Sequence, residues 1–252
     1  FRSGAGGEWE HARVSARVRP LVLAHRGACR RARENTIEAF AIARELGADG
    51  VELDVRRTRD GVLVLHHDPE IEGVGLIAGV AAAGLADAAP WVPTLAAALY
   101  ELRGLMVNVE VKCLPDEPDH DADRSVMRAV VALLAERGGL EQIVVSSFDL
   151  AAVDAARTME PRVSTGFLLT GLDPSVADGA RLTIEHGHEW FHPMWPMLEA
   201  AGTADVTRDL RAAGVRTNVW TLDDPEAAVR LAAAGVEGII SNEPEVILAA
   251  FA

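Results

Sequence analysis

The size, composition and charge of the chain exclude several classes of protein. Its 252 residues fit one large domain or two small ones, and 49% of them are hydrophobic, which is too many for a disordered chain. The formal net charge of −14 argues against a nucleic-acid partner, because nucleic-acid binding needs a basic surface. No apolar run reaches the roughly 20 residues that a membrane-spanning helix needs, so no transmembrane segment is expected.

Hydrophobic patterns in the first half of the chain alternate between strand and helix. They predict strands at 21–25, 50–55 and 105–112, and helices at 34–46 and 125–137. The Asp60-Gly61 pair is a tight-turn signal, and it predicts that residues 62–66 fold back as a β-hairpin arm after the second strand. Residues 71–90 are rich in Gly and Ala and indicate an irregular loop or a small excursion, not a second domain.

The second half continues the same alternation. It predicts strands at 142–147, 163–169, 189–192, 215–221 and 237–241, with helices near 150–158, 203–213 and 225–234. Eight strands separated mostly by helices imply parallel strands with right-handed crossovers. We therefore predict a single α/β domain over 1–252, a (β/α)8 TIM-type barrel with residues 1–19 as an N-terminal extension. The alternative is a doubly wound open sheet, but the segment after the first strand has a single Gly where that fold needs a Gly-rich loop.

Acidic side chains lie near the ends of two of these strands, in a pattern that favours a metal site. Glu52 and Asp54 share one face of their strand, and Glu110 and Lys112 share a face of theirs, because strand side chains alternate with period two. Catalytic groups of a barrel project from the carboxyl ends of its strands, so these groups can converge at one mouth. Three carboxylates predict one divalent cation, Mg²⁺ or Ca²⁺. Zinc is disfavoured, because the sequence has no histidine pair at i, i+4 and no cysteine cluster.

Two histidines at strand ends indicate acid–base chemistry beside that cluster. His25 ends the first strand and His67 ends the hairpin, and imidazoles titrate near neutral pH. Arg26 offers a fork for a phosphate or a carboxylate, and Lys112 supplies a point charge. His66 is interpreted as structural, and His192 is a weaker candidate for lining the pocket. No spacing pattern gives a role to the remaining histidines, which are His11, His120, His186 and His188.

Several properties stay open. Cys29 and Cys113 are the only cysteines, and they are either two reduced thiols or a disulfide near the site. A cytoplasmic location is favoured, with a secreted or periplasmic one left open because the chain begins at Phe1. The oligomeric state is unknown.

The ordered motifs of the chain resemble the glycerophosphodiester phosphodiesterase family. They run through AHRGACRRARENTIEAFAIARELGADGVELDVRRTRDGVLVLHHDP, then VNVEVK, SSFD and VRTNVWTLDDPEAAVRLAAAGVEGIISNEPE. The resemblance implies a (β/α)8 barrel and metal-dependent hydrolysis of deacylated phospholipids, a small-molecule glycerophosphodiester substrate, to an alcohol and glycerol 3-phosphate. By position the resemblance implies that Glu52, Asp54 and Glu110 are metal ligands and that His25 and His67 are the acid–base pair. It also implies that Arg26 and Lys112 contact the phosphate, that Trp220 lines the pocket on the glycerol or phosphate side, and that Phe148 is an apolar wall.

The chain also departs from the family pattern in three places. The segment from Ile71 to Pro93 is short, Asp223 stands where the family commonly has Asn, and SNEP replaces the commoner T-D-x-P. We expect these changes to affect the choice of leaving alcohol and to touch neither the metal ligands nor the acid–base pair.

Other functions are compatible with the same barrel. One is a phospholipase D-like hydrolase of sphingomyelin or lysophospholipid, although no strong amphipathic segment for a membrane surface is present. A non-enzymatic alternative is a barrel that binds phosphodiesters without turnover. Phosphomonoester hydrolysis by a two-metal cluster would need more carboxylates than these three.

Overall fold

Eight parallel strands close into a barrel in the computed structural model, which describes residues 19–170 and 174–252. Around the barrel the order is β1, β2, β6, β7, β8, β9, β10 and β11, and β11 pairs with β1. The strands are β1 Leu21–His25, β2 Gly50–Arg57, β3 Leu63–Leu65, β4 Glu70–Ile71, β5 Gly75–Leu76, β6 Met106–Val111, β7 Ile143–Ser147, β8 Ser164–Leu169, β9 Trp190–Pro193, β10 Arg216–Val219 and β11 Gly238–Ser241. The predicted TIM-type barrel is confirmed. Of the predicted N-terminal extension, residues 1–18, with His11, lie outside the described residues.

Helices connect the strands and cover the outside of the barrel. They are Ile37–Glu45, Ala82–Ala88, Leu95–Glu101, Ser125–Arg137, Leu150–Met159, Val176–His186, Trp195–Ala201, Thr203–Ala212, Pro225–Ala233 and Pro244–Ala249, with 3₁₀ turns at Ile77–Gly79 and Leu140–Gln142. The side chains of Thr36, Asp149 and Asp224 cap the backbone N–H groups that begin three of these helices. In the described part of the chain, no helix has the length and apolar character needed to cross a bilayer.

The segment between β2 and β6 leaves the barrel and returns. β3 pairs antiparallel with the end of β2, with Val55 opposite Leu65. Where the sequence predicts an irregular loop or excursion, residues 70–88 form the β4–β5 ribbon, a 3₁₀ turn and a helix. Ile71, Ile77 and Leu85 give this segment a small apolar cluster of its own.

Alternation along the strands separates an outer apolar layer from a polar interior. In β2, Val51, Leu53 and Val55 pack into the apolar cluster under the helices, and Glu52 and Asp54 lie on the opposite face. The register then places Glu52 beside Asn108, Asp54 beside Glu110, and His25 beside Glu52. Three neighbouring strands, β1, β2 and β6, therefore direct ionisable groups to one side of the barrel mouth.

Candidate active site

Three buried carboxylates form the centre of the candidate site. Glu52, Asp54 and Glu110 are all buried, and one oxygen from each lies within 4.8 Å of the others. β2 supplies two of them and β6 the third, and the parallel register of these strands brings the three together. The sequence-based expectation that separate strands would bring these oxygens together is met by this geometry.

Burial and neighbouring charges divide the protonation behaviour of the three carboxyls. Burial, reinforced by the charges of Asp54 and Glu110, raises the pKa of Glu52 well above its usual value. Burial also raises the pKa of Glu110. Burial acts in the same direction on Asp54, but Lys112 and Arg26 outweigh it and hold the pKa of Asp54 below its usual value. Asp54 is therefore the carboxyl group of the cluster that ionises most readily, and Glu52 is the one whose anion has the least stabilisation from neighbouring positive charge.

Two cationic side chains lie against these carboxylates. The Lys112 ammonium donates to Asp54 Oδ1 over 2.8 Å and to Glu110 Oε1, and the two acidic partners outweigh the effect of burial and raise the pKa of Lys112. The Arg26 Nε lies 3.3 Å from Asp54 Oδ2, and its Nη1 donates to Glu34 Oε1 over 3.0 Å. Both predicted phosphate contacts therefore stand beside the acidic cluster with their charges balanced by carboxylates.

The loop after β1 is shaped by backbone conformations that few residues adopt. Arg26 and Asn35 have positive φ values of 55° and 56°, and Gly27 has φ 82°. A Cβ at Gly27 would lie 2.8 Å from the Ala39 side chain, so only glycine fits there. This turn lets the backbone N–H of Arg26 donate to Glu52 Oε2 over 3.0 Å. It also lets the side-chain amide of Asn35 donate to Asp54 Oδ2 over 2.8 Å. The loop thereby fixes the orientation of two of the three carboxylates.

The donor set fits a hard divalent cation. Glu52 Oε1 is buried and makes no hydrogen bond among the described residues, so a strong acceptor is left without a partner. The three carboxylates, together with Glu34 on Arg26, outnumber the cations of Lys112 and Arg26, so a divalent ion would offset excess negative charge. Oxygen ligands of this kind suit Mg²⁺ or Ca²⁺, and Glu52, Asp54 and Glu110 are the residues that would hold the ion.

A relay of hydrogen bonds from the residues that follow β10 and β11 holds His25 at the end of β1. Asp223 Oδ2 accepts from the Asn242 amide nitrogen over 2.8 Å, which leaves Asn242 Oδ1 to accept from His25 Nδ1–H over 2.7 Å. His25 Nε2 is then free and lies 3.9 Å from Glu52 Oε2. Burial, with a smaller contribution from Arg26, lowers the pKa of His25, so its imidazole is neutral at pH 7.

This relay corrects one expectation from the sequence. Asp223 and the SNEP segment, which contains Asn242, were expected to touch neither the metal ligands nor the acid–base pair. Asn242 instead contacts His25 directly, and Asp223 accepts from both the backbone and the side chain of Asn242. The two departures from the family pattern form one connected unit behind His25.

His67 approaches the cluster from the end of the hairpin. Its Nδ1 lies 2.8 Å from Asp68 Oδ1, and its charged form would lower the pKa values of Asp54 and Glu110 electrostatically. The buried Arg56 donates from Nε to the backbone carbonyl of His67 over 2.9 Å. Arg56 also binds Glu117 and Asp119, so it ties the hairpin end to the loop after β6. Sequence reasoning missed this role of Arg56, and its place on the Glu52–Asp54 face of β2 is the pattern that pointed to it.

Two aromatic side chains, Phe148 after β7 and Trp220 after β10, form a wall at the mouth. Phe148 and Trp220 meet edge to face with ring centroids 5.5 Å apart, and Trp220 Nε1 donates to the His192 carbonyl over 2.8 Å. His192 itself is buried behind this wall, and burial lowers its pKa to about 3. The sequence-based suggestion that His192 is a weaker lining residue of the pocket stays a prediction.

Both cysteines are free thiols with different partners. Cys29 Sγ donates to Asn242 Oδ1 over 3.2 Å, and Cys113 Sγ lies 3.1 Å from Ser147 Oγ. Burial raises the pKa of the Cys113 thiol to about 11. The two cysteines therefore lie near the site as thiols, each in its own hydrogen-bonded environment.

Comparison with known proteins identifies the family. The sequence profile of the glycerophosphoryl diester phosphodiesterase family matches residues 25–246, from the first strand-end histidine to the last helix. The chain belongs to this family. A glycerophosphodiester phosphodiesterase of Caldanaerobacter subterraneus subsp. tengcongensis is 30% identical over 92% of this chain and 97% of its own length. A probable glycerophosphodiester phosphodiesterase 2 of Mycobacterium tuberculosis is 27% identical over 90% of this chain and 89% of its own.

Solved structures of similar proteins share the barrel. The glycerophosphodiester phosphodiesterase of Thermotoga maritima superposes with a TM-score of 0.78 at 26% identity, over 92% of this chain and 99% of that one. An Oleispira antarctica phosphodiesterase in complex with the product sn-glycerol-3-phosphate gives a TM-score of 0.78 at 25% identity, over 92% of this chain and 96% of that one. The family relationship thus extends over nearly the full barrel.

Proposed function

We propose that this chain is a metal-dependent glycerophosphodiester phosphodiesterase that releases an alcohol and glycerol 3-phosphate. The observation that carries the proposal is the meeting of three buried carboxylates with two cationic side chains between two histidines at one barrel mouth. A bound divalent ion would offset the excess negative charge of this pocket and so allow an anionic phosphodiester to bind. The family membership and the product bound to the Oleispira antarctica relative support the same substrate class. We further propose that residues 1–252 form one barrel domain.

The two histidines have environments suited to opposite proton transfers. Because Asn242 accepts from Nδ1 and burial lowers the pKa of His25, Nε2 of His25 is a neutral base that faces the cluster. His67 Nδ1 lies 2.8 Å from Asp68 Oδ1, and this contact would orient the imidazole so that its Nε2 can donate a proton. In the proposed reaction His25 removes a proton from the nucleophile and His67 gives a proton to the leaving alkoxide.

The bond changes follow from these roles. A new phosphorus–oxygen bond forms to the nucleophile while the bond to the leaving alcohol breaks. The nucleophile is either the glycerol 2-hydroxyl, which yields a cyclic phosphate that water then opens, or water itself. A bound divalent ion would neutralise charge on the phosphoryl oxygens, and the cations of Arg26 and Lys112 would stabilise the charge that develops there. Trp220 and Phe148 would contact the part of the substrate that carries no phosphate.

A substrate panel on metal-stripped protein tests the proposal. Glycerophosphocholine, glycerophosphoethanolamine, an intact lysophospholipid and a phosphomonoester would each be assayed with Mg²⁺, with Ca²⁺ and without metal. We expect turnover of the two glycerophosphodiesters, dependent on added metal, with glycerol 3-phosphate as product. Faster turnover of the lysophospholipid would favour the phospholipase D-like alternative. No turnover of any diester with either metal would contradict the proposal and favour a binding barrel.

A further inference from the structure

A second group of metal-ligating side chains lies on the outside of the barrel. Ligand atoms of Asp154, His186 and His188 all lie within 4.8 Å of one another. Asp154 belongs to the helix Leu150–Met159, His186 ends the helix Val176–His186, and His188 lies just before β9. No spacing pattern in the sequence assigns a role to either histidine, because their partner Asp154 lies on another helix, 32 residues before His186 and 34 before His188.

The turn at Gly187 brings the two imidazoles to the same carboxylate. Gly187 ends its helix with φ 74°, the left-handed conformation that favours glycine. Its N–H donates to the Ile184 carbonyl over 3.1 Å, and the His188 N–H donates to Thr183 over 3.0 Å. These bonds fix the backbone on both sides of the turn. As a result the two rings stack with centroids 6.1 Å apart and an interplanar angle of 25°.

Hydrogen bonds around His188 leave its second nitrogen as an acceptor that faces another acceptor. The Thr165 hydroxyl donates to Glu189 Oε2 over 3.1 Å, so its oxygen accepts from His188 Nδ1–H over 3.0 Å. The lone pair of Nε2 then faces Asp154 Oδ1 at 3.2 Å. Nε2 is buried and makes no hydrogen bond among the described residues. Two acceptors in contact require a positive charge between them, supplied by a proton or by a metal ion.

We propose that Asp154, His186 and His188 bind a first-row divalent transition metal, for which Zn²⁺ is the best fit. Two imidazole nitrogens and one carboxylate oxygen are donors that Zn²⁺ accepts, and water supplies the fourth ligand of a tetrahedron. Bonds of about 2.0 Å separate tetrahedral ligands by about 3.3 Å. The oxygen Asp154 Oδ1 lies 2.9 Å from His186 Nδ1 and 3.2 Å from His188 Nε2, so a small outward movement of the ligands admits the ion.

The surroundings of this cluster permit entry of an ion and leave it a structural role. The side chains of His186 and Asp154 are 36% and 38% exposed, so an ion and its water ligand can reach them from solvent. The nearby Arg157 guanidinium is paired with Glu189 over 2.8 Å, so its charge is balanced. A bound ion would join one helix to the segment that leads into β9. It would stabilise the fold without touching the catalytic mouth, and this inference is independent of the proposed function.

Thermal unfolding of the full chain tests the inference. Metal-stripped protein would be titrated with Zn²⁺ alone and with Mg²⁺ alone. At Zn²⁺ about 100-fold above its dissociation constant, we expect a cluster-dependent rise in Tm of about 5–10 °C. Asp154→Asn and His186→Gln, both at half-exposed positions, should lose this rise. His120→Gln, a histidine outside the cluster, and Glu52→Gln, in the other cluster, should keep it. Addition of Mg²⁺ should shift Tm by the same amount in the wild type and in the Asp154 variant.

A spectroscopic measurement on the wild-type chain makes the inference independent of how the variants fold. Co²⁺ in a four-coordinate site with imidazole ligands absorbs visible light strongly, whereas Co²⁺ bound by oxygen ligands alone absorbs weakly. We expect the strong absorption at one equivalent of Co²⁺ and its loss on addition of Zn²⁺. Absence of this absorption, or an undiminished rise in Tm with Zn²⁺ in both cluster variants, would overturn the inference and leave a proton between His188 and Asp154.

Discussion

The two halves of the barrel mouth are built from different chemistry. On the side of β1, β2 and β6, which we call the charged half, buried side chains carry charge and are held by ion pairs and by amide groups of the loop after β1. On the side of β9 and β10, which we call the neutral half, burial keeps His192 uncharged, and Trp220, which follows β10, meets the ring of Phe148, which follows β7. Under the proposed function, the charged half would bind the phosphodiester group, and the neutral half would contact the rest of the substrate.

Removing a carboxylate from the charged half should have the largest effect. Glu52→Gln and Glu110→Gln should each lower kcat/KM by about 10³-fold or more, because a bound metal stabilises transition-state charge by several kcal/mol. The dissociation constant of Mg²⁺ or Ca²⁺, measured by calorimetry, should rise in parallel. Near-normal turnover of both variants at saturating metal would remove the carboxylates from the mechanism and erase the contrast between the two halves.

Removing either histidine should have the next largest effect. His25→Ala and His67→Ala should each lower kcat by about 10²–10⁴-fold, the usual contribution of acid–base catalysis. His25 acts when neutral, and its pKa is lowered. On the acidic side of the pH profile, wild-type activity should therefore persist until the pH falls below the ordinary imidazole range. The pH profile of His25→Ala should lack this acidic limb. The neighbouring His66→Ala is the matched control, and a loss as large as that of His67→Ala would contradict the assignment.

The relay behind His25 should have a smaller effect that reports on positioning. Asn242→Ala removes the acceptor at His25 Nδ1, and we expect kcat to fall about tenfold, as for the loss of one hydrogen bond to a neutral group. The acidic limb of the pH profile should also shift. Ser241→Ala removes a different hydrogen bond to Asp223 and serves as the control. Equal effects of the two substitutions on kcat and on the pH profile would show that the relay has only a structural role.

Substitution in the neutral half should change substrate preference more than rate. Trp220→Ala removes one ring of the aromatic pair, and we expect KM to rise by up to about tenfold with kcat little changed. The ratio of kcat/KM between glycerophosphocholine and glycerophosphoethanolamine should change as well. Trp220→Phe keeps an aromatic ring, so its KM should lie between those of the wild type and Trp220→Ala. A large fall in kcat with an unchanged substrate ratio would place Trp220 with the charged half.

The parts of the site that the sequence predicts are those set by local periodicity. Alternation along one strand places Glu52 and Asp54 on one face, and the same alternation in β6 places Glu110 there. The hydrogen bond between His25 and Asn242 spans 217 residues and exists because β11 pairs with β1, so no local pattern announces it. For Arg56, alternation along β2 predicts the face on which it lies, but its partners Glu117 and Asp119 lie in a loop whose path is set by tertiary packing. Asp154, His186 and His188 meet only in the folded chain, because Asp154 precedes the two histidines by 32 and 34 residues.

The position of a bound cation tests the central claim most directly. Crystals of the metal-stripped chain soaked in Mn²⁺ would reveal the ion by its anomalous scattering. We predict a peak at the barrel mouth within about 2.6 Å of oxygens from Glu52, Asp54 and Glu110. A mouth without such a peak at saturating Mn²⁺, or a peak that contacts none of these three carboxylates, would contradict the account.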